Sequence, residues 1–364
     1  MTAAIHVDVS QRALSDAERR LLVPDLQARD ISASMLDLLP PAGRYFQILR
    51  AVGGNGQLLG VTSLMSVRPF VSIKQMLGEG NHVGWDTSIY FAPDVDQVQV
   101  AGAILRSMAG RSMFYAMYFG QIDDHIRAAL PTVRHRLLRT DYEMGHIDCR
   151  PLASETDFLA VHKRLRRNIR HHEKSGARVH VVEGPVGPEL ADGFSELVLS
   201  TYRHHGGVGQ WKFREYAQTT CGAFFRKCQD AVHIYTTAAD GRLTGVQSFI
   251  RHPNRLELSE GGFDRTGTDN HHAYEAIIVQ SVAYAIARGL EAVGYGGIWN
   301  HTKDRYTEKA DRPPVYLLQL YPSTGRFRLF GDRYSAWAFR TYFGGRFAGA
   351  TGSTTIESRL GSLA

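Results

Sequence analysis

Cysteine is scarce in this chain. Cys149, Cys221 and Cys228 are the only three among 364 residues, no two form a C-x-x-C, and none stands at a paired metal-ligand spacing. A disulfide framework and a zinc ribbon are thereby excluded, and reduced, buried thiols are the expectation. The sixteen histidines do not change this: the doublets His171-His172, His204-His205 and His271-His272 would point neighbouring rings to different faces of a helix, so no metal site is expected. A membrane-spanning run is also missing, because no stretch of about eighteen uncharged apolar residues occurs. Asp8, Asp16, Glu18, Arg19 and Arg20 interrupt the N-terminal apolar residues where a secretory core would lie, so a cytoplasmic location without a membrane partner is expected. Long polar tracts are absent too. With 43% hydrophobic and 21% charged residues, the composition is that of a globular protein, long enough for a full core in more than one domain.

What the chain does contain is a repeat. Gly56-Gln57-Leu58-Leu59-Gly60-Val61-Thr62-Ser63 returns 185 residues later as Gly241-Arg242-Leu243-Thr244-Gly245-Val246-Gln247-Ser248. Before each copy lies a segment rich in β-branched and aromatic residues, 45–52 and 232–239, ending at glycine, which predicts two hairpins. Each copy is followed by a strand candidate (82–91, 256–263) and then a helical pattern (98–108, 274–288) closing near Gly110 or Gly289. A further strand follows (112–119, 291–299). Strand, turn, strand, strand, helix, strand, written twice, predicts a duplicated α/β (α+β) unit.

Charge is concentrated rather than spread. The formal net charge is +6 and the pI about 9.2. From Ser154, whose spacing to Asp157 resembles a capping box, a helix is predicted with Phe158, Val161, Leu165 and Ile169 as its buried stripe. Lys163, Arg167, Arg170 and Lys174 then recur at four, three and four on another face, with Arg166 beside them and only Glu173 offsetting the run. Such a basic rail suits a polyanion. A second basic stretch, 326–347, interleaves arginines with aromatics, a density that fits a helix docked on the fold.

Three segments of the second half carry a resemblance: Leu165–Gly176, Gly261-Gly262-Phe263-Asp264 with the helix after it, and Val293-Gly294-Tyr295-Gly296-Gly297 followed by Thr302-Lys303-Asp304-Arg305-Tyr306. Together with the repeat they resemble the tandem GNAT acyltransferases of the FemAB-like group, over about residues 40–320 and best over 160–310. The resemblance implies two tandem GNAT-like domains, each a mixed sheet flanked by helices. Residues 1–150 would form a degenerate N-terminal domain, 151–325 the catalytic domain and 326–364 a basic, aromatic C-terminal helix and tail. It also implies a wedge between two parting parallel strands, where backbone N–H groups and a helix N-terminus hold an anionic donor and an acyl carbonyl.

Ordinary members of the fold bind coenzyme A through a Q/R-x-x-G-x-G/A loop. Here Gln99-Val100-Ala101-Gly102-Ala103-Ile104 ends in Ile and falls within a predicted helix, while Asp264-Arg265-Thr266-Gly267-Thr268-Asp269 places two acids where a phosphate would sit. The resemblance, the missing loop and the basic rail together imply an aminoacyl-tRNA donor and a small amine or peptide-like acceptor. The expected reaction is amide formation, in specialised-metabolite biosynthesis, since the long coiled-coil arm of cell-wall ligases is not evident. No metal, other cofactor or DNA partner is implied. An acyl-CoA-dependent N-acyltransferase and a non-catalytic RNA-binding module are the alternatives.

Site candidates follow from that reading. Lys303, in the loop after Tyr295-Gly296-Gly297, would stabilise developing negative charge; Asp264 or His272 would take the amine proton; Tyr306 would protonate the leaving oxygen. His271 and His272 fall near a helix start, where the dipole favours a neutral imidazole. Lys163, Arg166, Arg167, Arg170 and Lys174 would bind the donor tRNA. Trp211, in the glycine-rich loop 204–211, with Tyr295 and Trp299 would line the acceptor pocket. In the first half, Gln121-Ile122-Asp123-Asp124-His125 offers no counterpart to Lys303.

Overall fold

The computed structural model describes residues 4–38, 46–66, 74–76, 89–111, 114–119, 123–204, 218, 221–264, 272–297, 301–309, 312–320 and 356–357. The chain divides into two compact units, Met1–Met144 with Pro313–Ala364, and Gly145–Arg312. The first runs β1 (His6–Ser10), α1 (Asp16–Ala28), β2 (Phe46–Val52), β3 (Leu58–Ser66), β4 (Lys74–Met76), β5 (Ile89–Phe91), α2 (Gln97–Arg111), β6 (Phe114–Phe119), α3 (Asp124–Ala129) and β7 (His135–Asp148), whose last residues pass into the second unit. The second holds α4 (Glu155–Val161), α5 (Lys163–Lys174), β8 (Arg178–Glu183), α6 (Pro188–His204), α7 (Gly222–Lys227), β9 (Ala231–Thr237), β10 (Leu243–Arg251), β11 (Arg255–Phe263), α8 (Ala273–Ala287), β12 (Ala292–Gly297) and α9 (His301–Tyr306). β13 (Pro314–Leu320) then returns to the first unit.

That return corrects the expected boundary at residue 325. β13 pairs with β6 from Val315↔Phe119 to Leu320↔Phe114 and also with β7, and Leu318 and Leu320 are fully buried in the first unit's core. The alternating leucines of this strand need a sheet to bury against, and the first unit supplies it. The basic, aromatic stretch 326–347 lies outside the described residues.

The duplication holds to the level of single residues. Gly56 and Gly241, at φ +80° and +85°, make the same hairpin turn. Leu59 and Thr244 are each the extra residue of a β-bulge, because Val52↔Leu58 is followed by Ala51↔Gly60 and Leu243↔Thr237 by Gly245↔Thr236. Both bulge carbonyls accept an N–H from just past the third strand, Ala92 in one unit and Asp264 in the other, each at 3.0 Å. Gly60 and Gly245 then lack room for a Cβ, which would meet Val100 Cγ1 at 2.9 Å and Phe263 Cδ1 at 2.7 Å respectively.

One feature is not copied. In the second unit a single strand, β11, pairs along β10 from Arg251↔Leu256 to Gly245↔Phe263 and lies parallel to β12 at its start. In the first unit two short strands share that work: β4 pairs with the end of β3 and parallel to β6, and β5 pairs with the start of β3. Of the single strand expected at 82–91, residues 89–91 are β5 and the rest lies outside the described residues.

The second unit's sheet has the order β12-β11-β10-β9-β8. α8 is apolar on nearly every side and buries Ala273, Ile277, Ile278, Val282 and Ala285 against it. It stops at Gly289 (φ +67°), where Leu290 N–H bonds to Ala285 O and Gly289 N–H to Ile286 O, the paired bonds of a Schellman motif.

The helix expected from Ser154 is two helices. Asp157 does reach back to the Ser154 N–H at 2.9 Å, but the helix breaks at His162 (φ −113°, ψ 69°). The His162 ring sits edge-on to Phe158, with centroids 4.6 Å apart, and to Tyr306 at 5.8 Å. The break rotates Val161 out of the predicted stripe to 74% exposure, while Phe158 and Leu165 stay buried.

Candidate active site

Two parallel strands part in the second unit. β11 and β12 pair only at Arg255↔Ala292, Leu256↔Val293 and Glu257↔Gly294, after which β11 continues to Phe263 and β12 to Gly297. At the point of separation the Glu257 carboxylate packs on Gly294, where a Cβ would stand 2.6 Å from Glu257 Cδ and displace it. Just beyond, Ser248 pairs with Glu260 and Phe249 with Leu258, so Ser259 is the extra residue of a β-bulge. Its hydroxyl is buried and has no hydrogen-bond partner among the described residues.

The β11 edge that faces this wedge can be assigned from one bond. Phe263 N–H donates to Thr201 Oγ1 of α6 at 2.8 Å, so it points away from β10. Gly261, two residues earlier, presents its N–H and C=O to the same edge by the alternation of an antiparallel ladder. Gly262 between them lies against α6, where a Cβ would overlap Val198 N and Leu197 C and sit 2.7 Å from Leu197 O. Helix α6 thus clamps the end of β11 and leaves the Gly261 amide on the open edge.

The start of α8 closes the wedge on one side. His272 is its N-cap residue in the left-handed region (φ 60°, ψ 31°), and its ring Nδ1 lies 3.8 Å from Glu275 Oε1. Glu275, three residues on, accepts a hydrogen bond from Asn168 Nδ2 of α5 at 3.1 Å and complements the helix dipole. Tyr274 packs against Phe263 with centroids 5.4 Å apart, and burial pushes its phenol well above the usual range. Gln247 and Tyr306 are 2% and 3% exposed, and burial holds His162, beside Tyr306, below the ordinary imidazole value.

The basic helix is oriented by its contacts with α8. Leu165, Asn168 and His172 are its buried face. Besides the Asn168–Glu275 bond, the His171 and His272 rings lie 6.0 Å apart. Arg167 and Arg164 precede His171 by one and two turns, on the flank turned to the α8 N-terminus. Lys163, Arg170 and Lys174 occupy the face opposite Leu165 and His172, and Arg166 the far flank. All six cations are exposed, and none forms an ion pair with a described residue. The predicted rail therefore splits: Arg167 is beside the wedge, Arg166 is not, and Arg164, passed over in the sequence, is. Its signal was the i, i+7 spacing to His171.

In the first unit the same wedge is filled. The Phe91 N–H, equivalent to that of Phe263 by register, donates to Asp25 Oδ2 of α1 at 3.1 Å, and the Ile89 carbonyl, equivalent to that of Gly261, accepts from Arg29 Nη1 at 3.2 Å. Arg29 is paired with Asp25 at 2.8 Å, lies 3.7 Å from Asp123 at the start of α3, and stacks over Phe91 at 5.2 Å. The His125 ring meets Phe91 edge-on at 4.6 Å, and burial lowers its pKa to about 4. An ion pair and the His125 ring occupy the edge whose counterpart at Gly261 has no partner among the described residues.

Other predicted residues are placed as follows. Asp264 follows β11 and is ion-paired with Arg242, so its carboxylate is held by a guanidinium and not presented free as a base. Tyr295 does not line a pocket: it is 1% exposed, its hydroxyl bonded to Ser281 of α8, because alternation on β12 turns it into the core. Lys303 is on helix α9 and not in a loop, one turn before Tyr306, while the neighbouring Asp304 is paired with Arg312 at 2.7 Å. Trp211, Trp299 and His271 lie outside the described residues. Glu257 and Ser259, at the fork itself, went unpredicted because only strand pairing reveals where the fork begins. Cys149, Cys221 and Cys228 are buried. Among the described residues no cluster of three or more His, Cys, Asp or Glu could hold a metal, and no helix is long and apolar enough to cross a membrane.

Comparison with known proteins agrees with this geometry. The family model described as an acetyltransferase (GNAT) domain matches residues 160–306, from α4 to α9. Among curated proteins no sequence matches the chain. Among solved structures, a tandem GNAT protein from the clavulanic acid biosynthesis pathway, without AcCoA, aligns over 88% of this chain and 100% of its own, with TM-score 0.50 and 15% identity. L-PGS from Bacillus licheniformis aligns over 93% and 99%, with TM-score 0.54 and 11% identity, and a C-terminal DUF2156 domain from Agrobacterium fabrum over 89% and 97%, with TM-score 0.53 and 12% identity. At such identities the likeness is one of fold, and the fold is the tandem form of the GNAT acyltransferase architecture.

Proposed function

We propose that the second unit is an aminoacyltransferase site, which forms an amide by passing an amino acid from aminoacyl-tRNA to the amine of a small peptide-like acceptor. The observation that carries this reading is the pairing of an open β11 edge at Gly261 with cations Arg164 and Arg167 that have no ion-pair partner among the described residues, beside the helix N-terminus that meets it. The Glu275 carboxylate stands in the first turn of α8, beside the place where a pyrophosphate loop would be, which disfavours coenzyme A.

The chemistry asks little beyond placement. A neutral amine attacks the ester carbonyl, the oxyanion is held by the Gly261 N–H and the cation of Lys303, the bond to the ribose oxygen breaks, and that oxygen takes a proton from Tyr306. His272 accepts the proton lost by the amine. Lys163, Arg170 and Lys174 extend the phosphate path from Arg164 and Arg167. The first unit, with its wedge filled, supports the fold and performs no transfer.

A thermal-shift panel of coenzyme A, acetyl-CoA, and bulk aminoacylated and deacylated tRNA tests the reading. Aminoacylated tRNA at a hundredfold excess over its Kd should stabilise the protein by about 2.7 kcal/mol, and the effect should fall steeply with salt. Stabilisation by acetyl-CoA alone would overturn the donor assignment in favour of acyl-CoA, the reading favoured by the acetyltransferase description of the matching family. Binding of tRNA without transfer to any amine would leave an RNA-binding module.

A further inference from the structure

Three polar groups are buried together at the base of the wedge with nothing to bond to. The Gln247 Oε1 of β10, the Tyr274 hydroxyl in the first turn of α8 and the Tyr306 hydroxyl at the end of α9 have no hydrogen-bond partner among the described residues. Their neighbourhood is shared. The Gln247 side chain is near enough to bear on the Tyr274 phenol as a hydrogen-bond donor, although neither its Oε1 nor the hydroxyl completes a bond of good geometry, and the Tyr306 phenol and the Glu275 carboxylate both bear on Tyr274 electrostatically. The open edge of β11 lies directly above: a Cβ at Gly261 would stand 3.6 Å from Gln247 Cγ, and the Phe263 ring is packed on Tyr274.

Unpaired polar atoms are rare in native interiors because each forfeits the hydrogen bonds it made to water. Three from three separate elements, beside the edge assigned to the acyl carbonyl, form a polar cluster able to hold a ligand group. Its chemistry is selective. A carboxamide oxygen only accepts, a phenol oxygen can accept, and the nearby Glu275 adds negative charge. An anionic head would meet the carboxamide oxygen and the carboxylate, whereas an ammonium group offers three donors and a compensating charge.

On the basis of the transfer reading above, we infer that this cluster is the acyl subsite, in which Gln247 and Tyr274 recognise the α-amino group of the amino acid being transferred. Amine recognition beside the reacting carbonyl selects aminoacyl over simple acyl donors, whatever carrier brings them.

Donor pairs that differ only in a free amine test this. Bulk aminoacyl-tRNA is compared with the same tRNA after N-acetylation, and glycyl-CoA with acetyl-CoA, by dissociation constants for wild type, Gln247→Met and Tyr274→Phe. Within the carrier that binds, wild type should prefer the free amine about tenfold, as one charge-assisted hydrogen bond predicts. Each variant should bring that preference close to unity and leave affinity for the amine-free partner unchanged. Because Tyr274→Phe removes only an unpartnered hydroxyl, that variant should melt, ligand-free, at or above the wild-type temperature. A carrier that binds without amine preference, or a preference that survives both variants, overturns the subsite and leaves the donor assignment standing. Binding of neither carrier overturns the donor assignment and the subsite with it.

Discussion

Gly261 and Gly262 are adjacent on β11, yet alanine at the two positions should have opposite consequences. At Gly262 the new Cβ would lie on the backbone of α6, overlapping Val198 N and Leu197 C, with Leu197 O at 2.7 Å. Backbone atoms inside a helix cannot rotate aside as a side-chain tip can, so either α6 or β11 must shift. Overpacking of this kind costs about 1–3 kcal/mol, and a domain of this size loses about 2–4 °C in Tm per kcal/mol. Gly262→Ala should therefore melt several degrees lower. At Gly261 the nearest atoms to a Cβ are Gln247 Cγ at 3.6 Å and Val246 O at 3.7 Å, ordinary van der Waals distances. Gly261→Ala should leave Tm unchanged or raise it slightly, since the unfolded chain loses freedom worth about 0.4–1 kcal/mol. Its methyl would stand between Gln247 and the wedge, so turnover should fall while stability holds. Differential scanning fluorimetry with a transfer assay separates the two. Equal destabilisation by both variants would refute the described packing of α6 on β11, and full activity in Gly261→Ala would refute the location of the acyl subsite.

Asp25→Ala should cost about 3–5 kcal/mol, the loss on breaking a buried ion pair, and leave kcat per folded molecule unchanged, because it touches only the filled wedge of the first unit. Asp123→Ala should be milder and equally silent in kcat; loss of turnover in either refutes the division of labour. Arg164→Ala and Arg167→Ala should each lower the salt dependence of tRNA binding by about one unit of slope, whereas Arg166→Ala on the far flank should not, and an equal effect would show that the helix is differently oriented. His233 and His252 are buried neutral with pKa values lowered by burial to about 4. The folded state thus binds fewer protons than the unfolded one between about pH 6.5 and 4, and stability, complete above that window, falls with pH by about 2 kcal/mol per imidazole at pH 5. Urea midpoints that stay flat from pH 7 to 5 would show that these rings titrate normally.

The architecture was legible because the repeat is a backbone requirement. A hairpin that turns through positive φ, bulges three residues later and then admits no Cβ leaves few choices at Gly56 and Gly60 or at Gly241 and Gly245, and so the letters persisted in both copies. The positions of Asp264, His272 and Tyr306 near one wedge could likewise be read from strand and helix order. What could not be read was direction. Tyr295 differs from a pocket residue only by which face of β12 it takes, and Arg166 from Arg164 only by a rotation about α5 fixed by Asn168 meeting Glu275, a contact across 107 residues. The break at His162 was hidden because no proline or glycine marks it; the ring contacts with Phe158 and Tyr306 impose it. Gln247 lay inside the repeat itself, where its identity looked like part of a strand.

The two wedges differ in how their backbone hydrogen bonds are met, and the proposed division of labour rests on that difference. Parting strands expose edge groups that must be satisfied somewhere, and the first unit satisfies them internally: Asp25 takes the Phe91 N–H, Arg29 the Ile89 carbonyl, and Asp123 and His125 close over them. In the second unit the Thr201 hydroxyl answers Phe263, accepting from its N–H and donating to its carbonyl, and among the described residues nothing bonds to Gly261 on that edge. An internally satisfied edge is stable and inert; an edge left for a ligand is less stable and can polarise a carbonyl placed on it. If that trade is real, transplanting the plug should transfer its effect. Thr201→Asp puts a carboxylate on the Phe263 N–H, as Asp25 is on that of Phe91. The variant should lose transfer, because the added negative charge opposes the oxyanion, with tRNA affinity on α5 retained. A variant that keeps its turnover would mean that acyl transfer does not use the β11 edge.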